Sequence, residues 1–507
     1  MRISFSPRFV FMLLFILLAQ LYSQTTSVPL SSWAYDAVER WEVRGFINGV
    51  FNGSRPYTRE EMAKYIAETW QTYVGEPEKF SQTDRQQLYS LRFDYEEELK
   101  AYHLSPIRER WQPRLQTVFQ KTPLRFFNNV FYTNYRNALT FRHGEFNFYA
   151  DPVMDASREQ KYDQTQGKFD QSRIANGFLF RGNMGSYIGF YFNLTDNHAV
   201  DGRWENRRIP FEVLQESRWP YITPGANGGF DFDENVAYVT FNYKYLYVLY
   251  GRDYNQWGVG HNGNLMLSTN APVADQLKLS IRYWRFKFTH LTSFLEYISP
   301  GMRQSMKSEP AVNVYWSGNR LELDMGRGVQ LGFSEAVVYG NRSLDPGYLN
   351  PVTFFKSLEH YYGDRDNGTL GLDLEWRVIP GLKVFGEWFI DDITTTKLGS
   401  DFYGNKFAWQ GGFFTVNPFS IPDVDFLLEY TRIKPYVYSH TVADYNKYKQ
   451  YDTILGDYIG PNSDDVFLRL RKRFSRYLQL SLVFEHYRHG ANPADENVGG
   501  DPMGPAC

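Results

Sequence analysis

From about residue 125 onward, apolar and polar residues alternate with a period of two, and this pattern limits the possible folds more than any other feature. Ile188, Phe190, Phe192 and Leu194, for example, alternate with Tyr187, Gly189, Tyr191 and Asn193. The pattern recurs in the segments 277–283, 321–325, 370–376, 466–471 and 478–485. Successive side chains of a β-strand point to opposite faces, so these segments predict strands with two unlike faces.

Turn signals and polar stretches alternate between the predicted strands. Short turns are predicted at 182–186, 317–319, 380–381 and 474–476. Longer polar loops are predicted at 154–174, 196–233, 299–309, 340–367 and 436–463. Tight turns at one end of a sheet and long loops at the other are typical of outer-membrane β-barrels.

The aromatic content supports a lipid-embedded barrel. The chain has 38 Tyr, 41 Phe and 12 Trp, 18% of its 507 residues, yet its mean hydropathy is −0.48. A barrel with aromatic girdles outside and a polar interior has this combination. The strands of a soluble β-sandwich or propeller also alternate between apolar and polar residues. Such strands, however, seldom carry so many charges on one face when the apolar face is this aromatic. We therefore predict a mainly β fold, a large antiparallel transmembrane barrel over 125–490 with about 16 to 20 strands.

The N-terminal region has different patterns. Residues 1–23 carry Arg2 and Arg8 followed by a short apolar run, which predicts a cleaved signal peptide and export to the outer membrane of a Gram-negative-type cell. Residues 31–103 predict a small bundle of three amphipathic helices. Capping residues are expected at Ser31 or Ser32, in a Thr58/Glu61 box and in a Thr83/Gln86 box, with Gly45 ending the first helix.

Composition and motifs argue against several functions. Lys and Arg (54) nearly balance Asp and Glu (57), so no nucleic-acid partner is expected. The single cysteine, Cys507, permits no internal disulfide, and no catalytic motif is found, so we expect no enzyme, no cofactor and no metal. His486 and His489 would point to opposite faces of one strand. The aspartate pairs 391/392, 364/366 and 464/465 are interpreted as solvated strand-end residues.

A long motif resembles the signature of the capsule assembly Wzi family. It consists of Gly251, Arg252 and Asp253, then the stretches 257–260 and 264–272, and it includes Trp257, Gly258, Gly260, Leu267, Ser268, Asn270 and Ala271. Further likenesses at 349–351, 366–367 and 386–392 extend the resemblance over nearly the whole mature chain. Val259 stands where the family usually has proline, and Asn264 where it usually has serine. The resemblance implies an outer-membrane barrel of about 18 strands with N-terminal helices at its periplasmic end. It also implies a role in holding capsular polysaccharide at the cell surface.

Residues 33–67 also resemble a single S-layer homology repeat. The residues that carry this resemblance are Trp33, Ala34, Asp36, Ala37, Gly45, Ile47, Asn48, Gly49, Thr58, Arg59 and Glu61. Such repeats bind cell-wall polymers, so peptidoglycan is an alternative partner of the helices. Packing of the helices against the barrel is the interpretation we favour.

Polysaccharide recognition requires flat aromatic surfaces together with planar polar groups, and the predicted loops contain both. The candidate binding residues are Trp204, Arg207, Arg208, Trp219, Tyr221, Trp257, His261 and Asn262. A membrane girdle or a loop core would explain the same aromatics.

Two functions compete, a surface polysaccharide-binding protein and a porin. Eight charged residues are expected to face the interior: Lys278, Arg282, Glu322, Asp324, Asp373, Glu375, Arg469 and Arg471. They favour a filled barrel and therefore capsule assembly, in contact with outer-membrane lipid. The polar tail 491–507 lacks the expected closing strand, which predicts a truncated chain or an incomplete barrel seam.

Overall fold

A computed structural model gives the fold of the protein. The described residues are 25–104, 137–163, 167–204, 223–224, 230–297, 312–400, 402–440, 443–451, 453–490, 492–493 and 498–500. The predicted signal peptide and the loop 299–309 lie outside them.

Helices form the N-terminal region, as predicted. They are α1 (Ala34–Val43), α2 (Arg59–Gly75), α3 (Gln82–Asp94) and α4 (Glu96–Leu99), and a further short helix, α5 (Phe355–Tyr361), lies between two later strands. Gly45 ends α1 with a φ of +79°, and the Thr58/Glu61 capping box is confirmed. The capping box predicted at Thr83 and Gln86 lies two residues earlier, because Ser81 and Asp84 form it. Trp33, not Ser31 or Ser32, precedes the first residue of α1.

The helices pack around one apolar core, which we call the helical bundle (residues 25–104). Its buried side chains include Trp41, Ile47, Met62, Tyr65, Ile66, Leu88, Leu91, Tyr95 and Leu99. The second and third helices each bury one apolar face, as expected of the predicted amphipathic helices. Within the part of the chain that the structure describes, no helix is both long and apolar enough to span a bilayer.

Within the described residues, sixteen antiparallel strands form the large sheet, a number within the predicted range. They are β2 (Leu139–His143), β3 (Phe146–Asp163), β4 (Gly167–Met184), β5 (Ile188–Trp204), β7 (Phe230–Tyr243), β8 (Leu246–Asp253), β10 (Ala274–Tyr283), β11 (Phe286–Leu295), β12 (Val314–Gly326), β13 (Val329–Gly340), β14 (Asn367–Ile379), β15 (Leu382–Asp392), β16 (Lys406–Val416), β17 (Val424–Ile433), β20 (Ser463–Arg473) and β21 (Gln479–His489). Each pairs with the next in this order. Shorter strands are β1 (Ser54–Arg55), β6 (Thr223–Pro224), β9 (Gln256–Trp257), β18 (Lys449–Gln450) and β19 (Thr453–Ile454).

The two faces of the barrel wall have opposite polarity, as the alternation predicts. On the outside, Leu277 and Leu372 are 38% and 44% exposed, whereas on the inside Lys278 and Glu375 are only 5% and 3% exposed. This arrangement is the reverse of that in a soluble protein, where apolar residues fill the interior. It fits a wall with hydrocarbon outside and a polar lumen.

Three of the four predicted short turns are confirmed, and one is wrong. Turns join β4 to β5, β14 to β15 and β20 to β21. Residues 317–319, however, lie within β12, where the Ser317 hydroxyl contacts that of Thr292 on β11. Gly318 lies under the rings of Trp257 and Trp316. Small polar residues that face a crowded lumen were therefore mistaken for a turn.

The predicted loop 154–174 is also wrong, because most of it is strand. The β3–β4 ladder extends to the pair formed by Asp163 and Gly167. Ion pairs link Arg158 to Asp170 and Arg173 to Asp155 across the hairpin. The hairpin continues beyond the apolar part of the wall, so both of its faces are polar and the alternation disappears. The predicted loop 196–233 is likewise shortened by β5 and β7, whereas most of 340–367 and 436–463 lies between barrel strands as predicted.

The helical bundle lies inside the barrel, toward the short turns, and buried ion pairs join it to the wall. Lys383 Nζ of β15 lies 2.7 Å from Glu39 Oε1 of α1 and 2.6 Å from Glu375 of β14. Arg282 of β10 bonds Glu61 of α2 at 3.1 Å. Further links are Arg40–Asp425, Ser54–Glu322 and Asp36–Arg471. Four of the predicted interior charges thus contact the bundle: Arg282, Glu322, Glu375 and Arg471. Asp373 instead pairs with Arg320 of the wall, and Lys278 bonds Asn255 of the connection that follows β8.

The Lys383 cluster generates a test of stability. Lys383→Met leaves Glu39, Glu42 and Glu375 buried beside one another without their shared cation, which should cost about 3–5 kcal/mol of the free energy of unfolding. Guanidinium titration in detergent micelles measures this loss. Lys79→Met, which removes an exposed lysine, is the control and should change stability by less than about 0.5 kcal/mol. Equal losses in the two variants would contradict the assigned role of Lys383.

Candidate functional site

The family-like motif folds into the barrel as a long inward connection between β8 and β10, which we call the motif loop (residues 254–273). Its strand β9 pairs with β1 of the helical bundle, and the Gly258 N–H donates to the Gly53 carbonyl at 2.9 Å. Trp257 is fully buried, with its ring centroid 5.2 Å from that of Trp316. The motif loop therefore connects the bundle to the barrel wall.

Two glutamates of the wall hold the motif loop by its backbone. Glu387 of β15 accepts hydrogen bonds from the N–H groups of Val259, Gly260 and Leu265, the latter two at 2.7 and 3.1 Å. Glu429 of β17 accepts from the N–H groups of His261 and Asn262 at 2.7 and 3.0 Å. At least two backbone N–H groups converge on each of these buried side chains, so these contacts fix the path of the loop.

The two glycines of the motif are required by this close approach. Gly258 has a φ of +132°, and a Cβ there would lie 2.3 Å from Glu387 Oε1. A Cβ at Gly260 would lie 2.1 Å from both Gln410 Oε1 and the Gly263 carbonyl oxygen. Any side chain at either position would displace the loop from the glutamates.

Both departures from the family pattern contact the same carboxylate. Val259 supplies an N–H to Glu387, which a proline lacks. The Asn264 side-chain amide donates to Glu387 at 3.2 Å. In this chain, Val259 and Asn264 therefore both donate hydrogen bonds to Glu387. The sequence alone did not show that these two positions share a partner.

The rest of the motif loop is bound by the β17–β20 connection. Tyr438 and Tyr448 donate their hydroxyls to the carbonyls of Leu265 and Met266 at 2.9 and 2.6 Å. Ser268 N–H donates to the Leu455 carbonyl at 2.8 Å. Among the other motif residues, Asn270 bonds the Ile454 carbonyl, Leu267 and Ala271 are buried in the same core, and Arg252 pairs with Asp275.

Three of the predicted sugar-binding residues thus belong to this internal scaffold. Trp257 offers no surface to a ligand. His261 is buried beside the Phe385 ring, its Nε2 lies 2.9 Å from Glu39 Oε1, and burial lowers the pKa of its imidazole. The Asn262 amide donates to the Tyr458 hydroxyl at 2.8 Å. We correct the prediction for Trp257 and His261, because their burial makes them structural.

The remaining predicted residues lie in or beside the β5–β7 connection. Trp204 is the last residue of β5. Arg207, Arg208, Trp219 and Tyr221 lie outside the described residues. Of this group, Trp204 alone belongs to the described residues.

A large cavity inside the barrel was missed at the sequence level. We call it the lumen cavity; it has a volume of about 630 Å³. Its lining includes the segment 27–31, Pro56, Asp155, Arg173, Tyr191, Asn193, Thr195, Asn197, Glu234, Tyr238, Asp253, Tyr254 and Thr269. The inward-facing Tyr191 and Asn193 were visible in the alternation of β5, but only the fold shows that they border a space.

The apolar outer wall, the polar interior and the enclosed helices define the class of this protein. It is a large outer-membrane β-barrel with an occupied lumen. The family described as capsule assembly protein Wzi matches residues 129–502, and the chain belongs to that family.

One solved structure shares the fold over most of this chain. Wzi of Escherichia coli, described as an outer-membrane protein involved in group 1 capsule assembly and as a carbohydrate-binding β-barrel, gives a TM-score of 0.51 at 13% identity, covering 94% of this chain and 88% of that chain. OmpF of Salmonella typhi gives 0.39 at 8% identity, covering 72% and 97%. OccAB4 of Acinetobacter baumannii gives 0.32 at 8% identity, covering 69% and 95%. No curated protein sequence matches the chain.

Asp457, in the connection that binds the motif loop, generates a pH prediction. Burial raises the pKa of its carboxyl to about 7. The folded state therefore holds the proton more tightly than the unfolded state, and stability should fall as the pH rises from about 4 to 7, by on the order of 4 kcal/mol.

Asp457→Asn should remove most of this dependence, so that its stability relative to the wild type is higher at pH 8 than at pH 4. Urea titrations at the two pH values measure the difference. Asp196→Asn, at an exposed position, is the control and should show no such gain. A parallel pH profile for wild type and Asp457→Asn would disprove the assignment.

Proposed function

We propose that this protein binds and organises capsular or other extracellular polysaccharide at the outer face of an outer membrane, as a fixed platform and not as a solute channel. The observation that carries the proposal is the occupied interior. The helical bundle is tied to the wall by ion pairs and hydrogen bonds to charged side chains on β10, β12, β14, β15, β17 and β20. A pore for solutes needs an open, water-filled lumen instead.

Family membership supports the same role, since the family is described as capsule assembly protein Wzi. Outer-membrane barrels place their short turns toward the periplasm and their long connections toward the exterior. With the bundle beside the short turns, the long β3–β4 hairpin and the β5–β7 connection would face the polysaccharide.

The proposed contact residues are Trp204, Arg207, Arg208, Trp219 and Tyr221. An indole ring can stack on the apolar face of a sugar, and a guanidinium can bond carboxylates or hydroxyls. Asn262 is a weaker candidate, because its amide is already engaged with Tyr458.

Peptidoglycan binding by the helical bundle stays a prediction based on the resemblance to an S-layer repeat. Much of the surface of α1 that such binding could use is buried, since Tyr35, Ala37, Val38 and Trp41 face the bundle core. We therefore propose packing inside the barrel as the main role of these helices.

Conductance tests the platform against the porin alternative. The purified protein inserted in a planar lipid bilayer should show no stable open-channel steps, because the bundle is held by several buried ion pairs. A general porin inserted under the same conditions serves as the positive control. Reproducible steps of porin size would favour a channel and contradict the proposal.

Capsule retention tests the proposed contact residues. The double variant Trp204→Ala/Arg207→Ala should lower the ratio of cell-bound to shed polysaccharide by about tenfold, equivalent to 1.4 kcal/mol. The amount of folded barrel, measured by its heat-modifiable migration on gels, should not change.

The matched control is Trp284→Ala/Arg285→Ala, a tryptophan–arginine pair in the short turn between β10 and β11, where Trp284 is 80% exposed. Because this turn would face the periplasm, the control should retain capsule normally. Unchanged retention in the first double variant would remove Trp204 and Arg207 from the site.

A further inference from the structure

The lumen cavity has the lining of a sugar site. The rings of Tyr191 and Tyr238 stack across β5 and β7, with centroids 5.1 Å apart, and Tyr254 adds a third aromatic side chain. The Tyr254 hydroxyl donates to Glu234 at 2.6 Å. Pockets of about 300–1,000 Å³ that combine aromatic walls with a few oriented polar groups are typical ligand sites. At about 630 Å³, the lumen cavity falls within this range.

Several acceptor atoms in the cavity wall lack a donor. Asn193 Oδ1, Asn197 Oδ1 and Asp253 Oδ2 are buried and have no hydrogen-bond partner among the described residues. The Asn197 side chain is 1% exposed, and its amide nitrogen is already used by the Thr195 carbonyl. Buried polar atoms are normally satisfied. The three unpaired acceptors belong to residues that line one cavity, so a small side-chain rotation would present them to a ligand that brings donors. Sugar hydroxyls are such donors.

The charges of the lining restrict the ligand further. Three carboxylates, Asp155, Glu234 and Asp253, line the cavity with one guanidinium, Arg173, which is paired with Asp155 at 2.5 Å. The carboxylate of an anionic sugar would meet like charges, and it has no hydrogen to donate to the unpaired acceptors. A sugar without a carboxylate meets neither obstacle.

Access is from the side of the long connections. The segment 27–31 and Pro56 of the helical bundle form the floor, whereas Asp155 and Arg173 lie on the β3–β4 hairpin, far from the turn after β4, and remain 50% and 36% exposed. Tyr254 and Thr269 of the motif loop line a further side. Among the described residues, the cavity is therefore open toward the exterior, and a polysaccharide segment that entered there would stop at the bundle.

We propose that the lumen cavity binds a short, uncharged oligosaccharide segment of the extracellular polysaccharide. This inference rests on the proposed function and adds a second contact, deeper than the loops. The loops hold the polymer at the surface, and the cavity takes one uncharged stretch or branch of it.

The test uses the full-length protein in a polyoxyethylene detergent, because a sugar-headed detergent would compete. The probes are oligosaccharides released by partial acid hydrolysis of the strain's own capsule, separated by anion exchange into neutral and acidic fractions. Titration calorimetry should show binding of neutral fragments that is tighter than that of acidic ones by about tenfold or more.

The cavity can be blocked after folding, which avoids a folding defect. In a Cys507→Ser background, Asn193→Cys is modified with a benzyl methanethiosulfonate reagent. The control is Leu194→Cys, the next residue of β5, whose side chain points to the lipid face and is 36% exposed. Blocking at position 193 should weaken binding of neutral fragments by about tenfold or more, and modification at position 194 should leave it unchanged.

Binding of intact polysaccharide separates this inference from the proposed function. If fragments bind equally well before and after blocking, or only acidic fragments bind, the cavity assignment is wrong. If the protein binds the intact polymer but no fragment, the cavity inference fails and the proposed function stands. If neither polymer nor fragments bind, the proposed function itself fails.

Discussion

Lys383 on the barrel wall lies between Glu39 of the helical bundle and Glu375 of the neighbouring strand, and the arrangement of the interior depends on contacts of this kind. A wall that faces lipid must turn its polar side chains inward, where little water is available to solvate them. Charges on the bundle provide partners for them, and the bundle is held in return. Removing one partner of a buried pair leaves an uncompensated charge, so the filled lumen is a cooperative unit.

The family-like motif acts through the same principle, with backbone donors in place of cations. Glu387 and Glu429 collect the N–H groups of the motif loop, and Gly258 and Gly260 allow the approach. A motif that suggested a binding loop is therefore a structural support. The motif loop also forms one wall of the lumen cavity. Its residues Tyr254 and Thr269 line that cavity, so the scaffold borders the proposed sugar site.

The sequence predicted those features correctly for which a residue pattern has a single structural explanation. Alternation predicted the strands and the polarity of their faces, because the β pleat has a period of two. It failed at 154–174, where the strands leave the membrane and both faces become polar, and at 317–319, where small residues fit under Trp257 and Trp316. For the site, it selected aromatic and basic residues by type, and it could not tell the buried Trp257 from a residue available to a ligand.

The sequence by itself determined the class of wall, the presence of N-terminal helices and the family, since these depend on periodicity, capping residues and a motif that are local along the chain. Only the tertiary structure decided which charges pair, why Val259 and Asn264 both matter to Glu387, and where a cavity remains between β3–β8 and the bundle. These features join residues more than a hundred positions apart, and their geometry follows from strand register and barrel curvature, which no local pattern encodes.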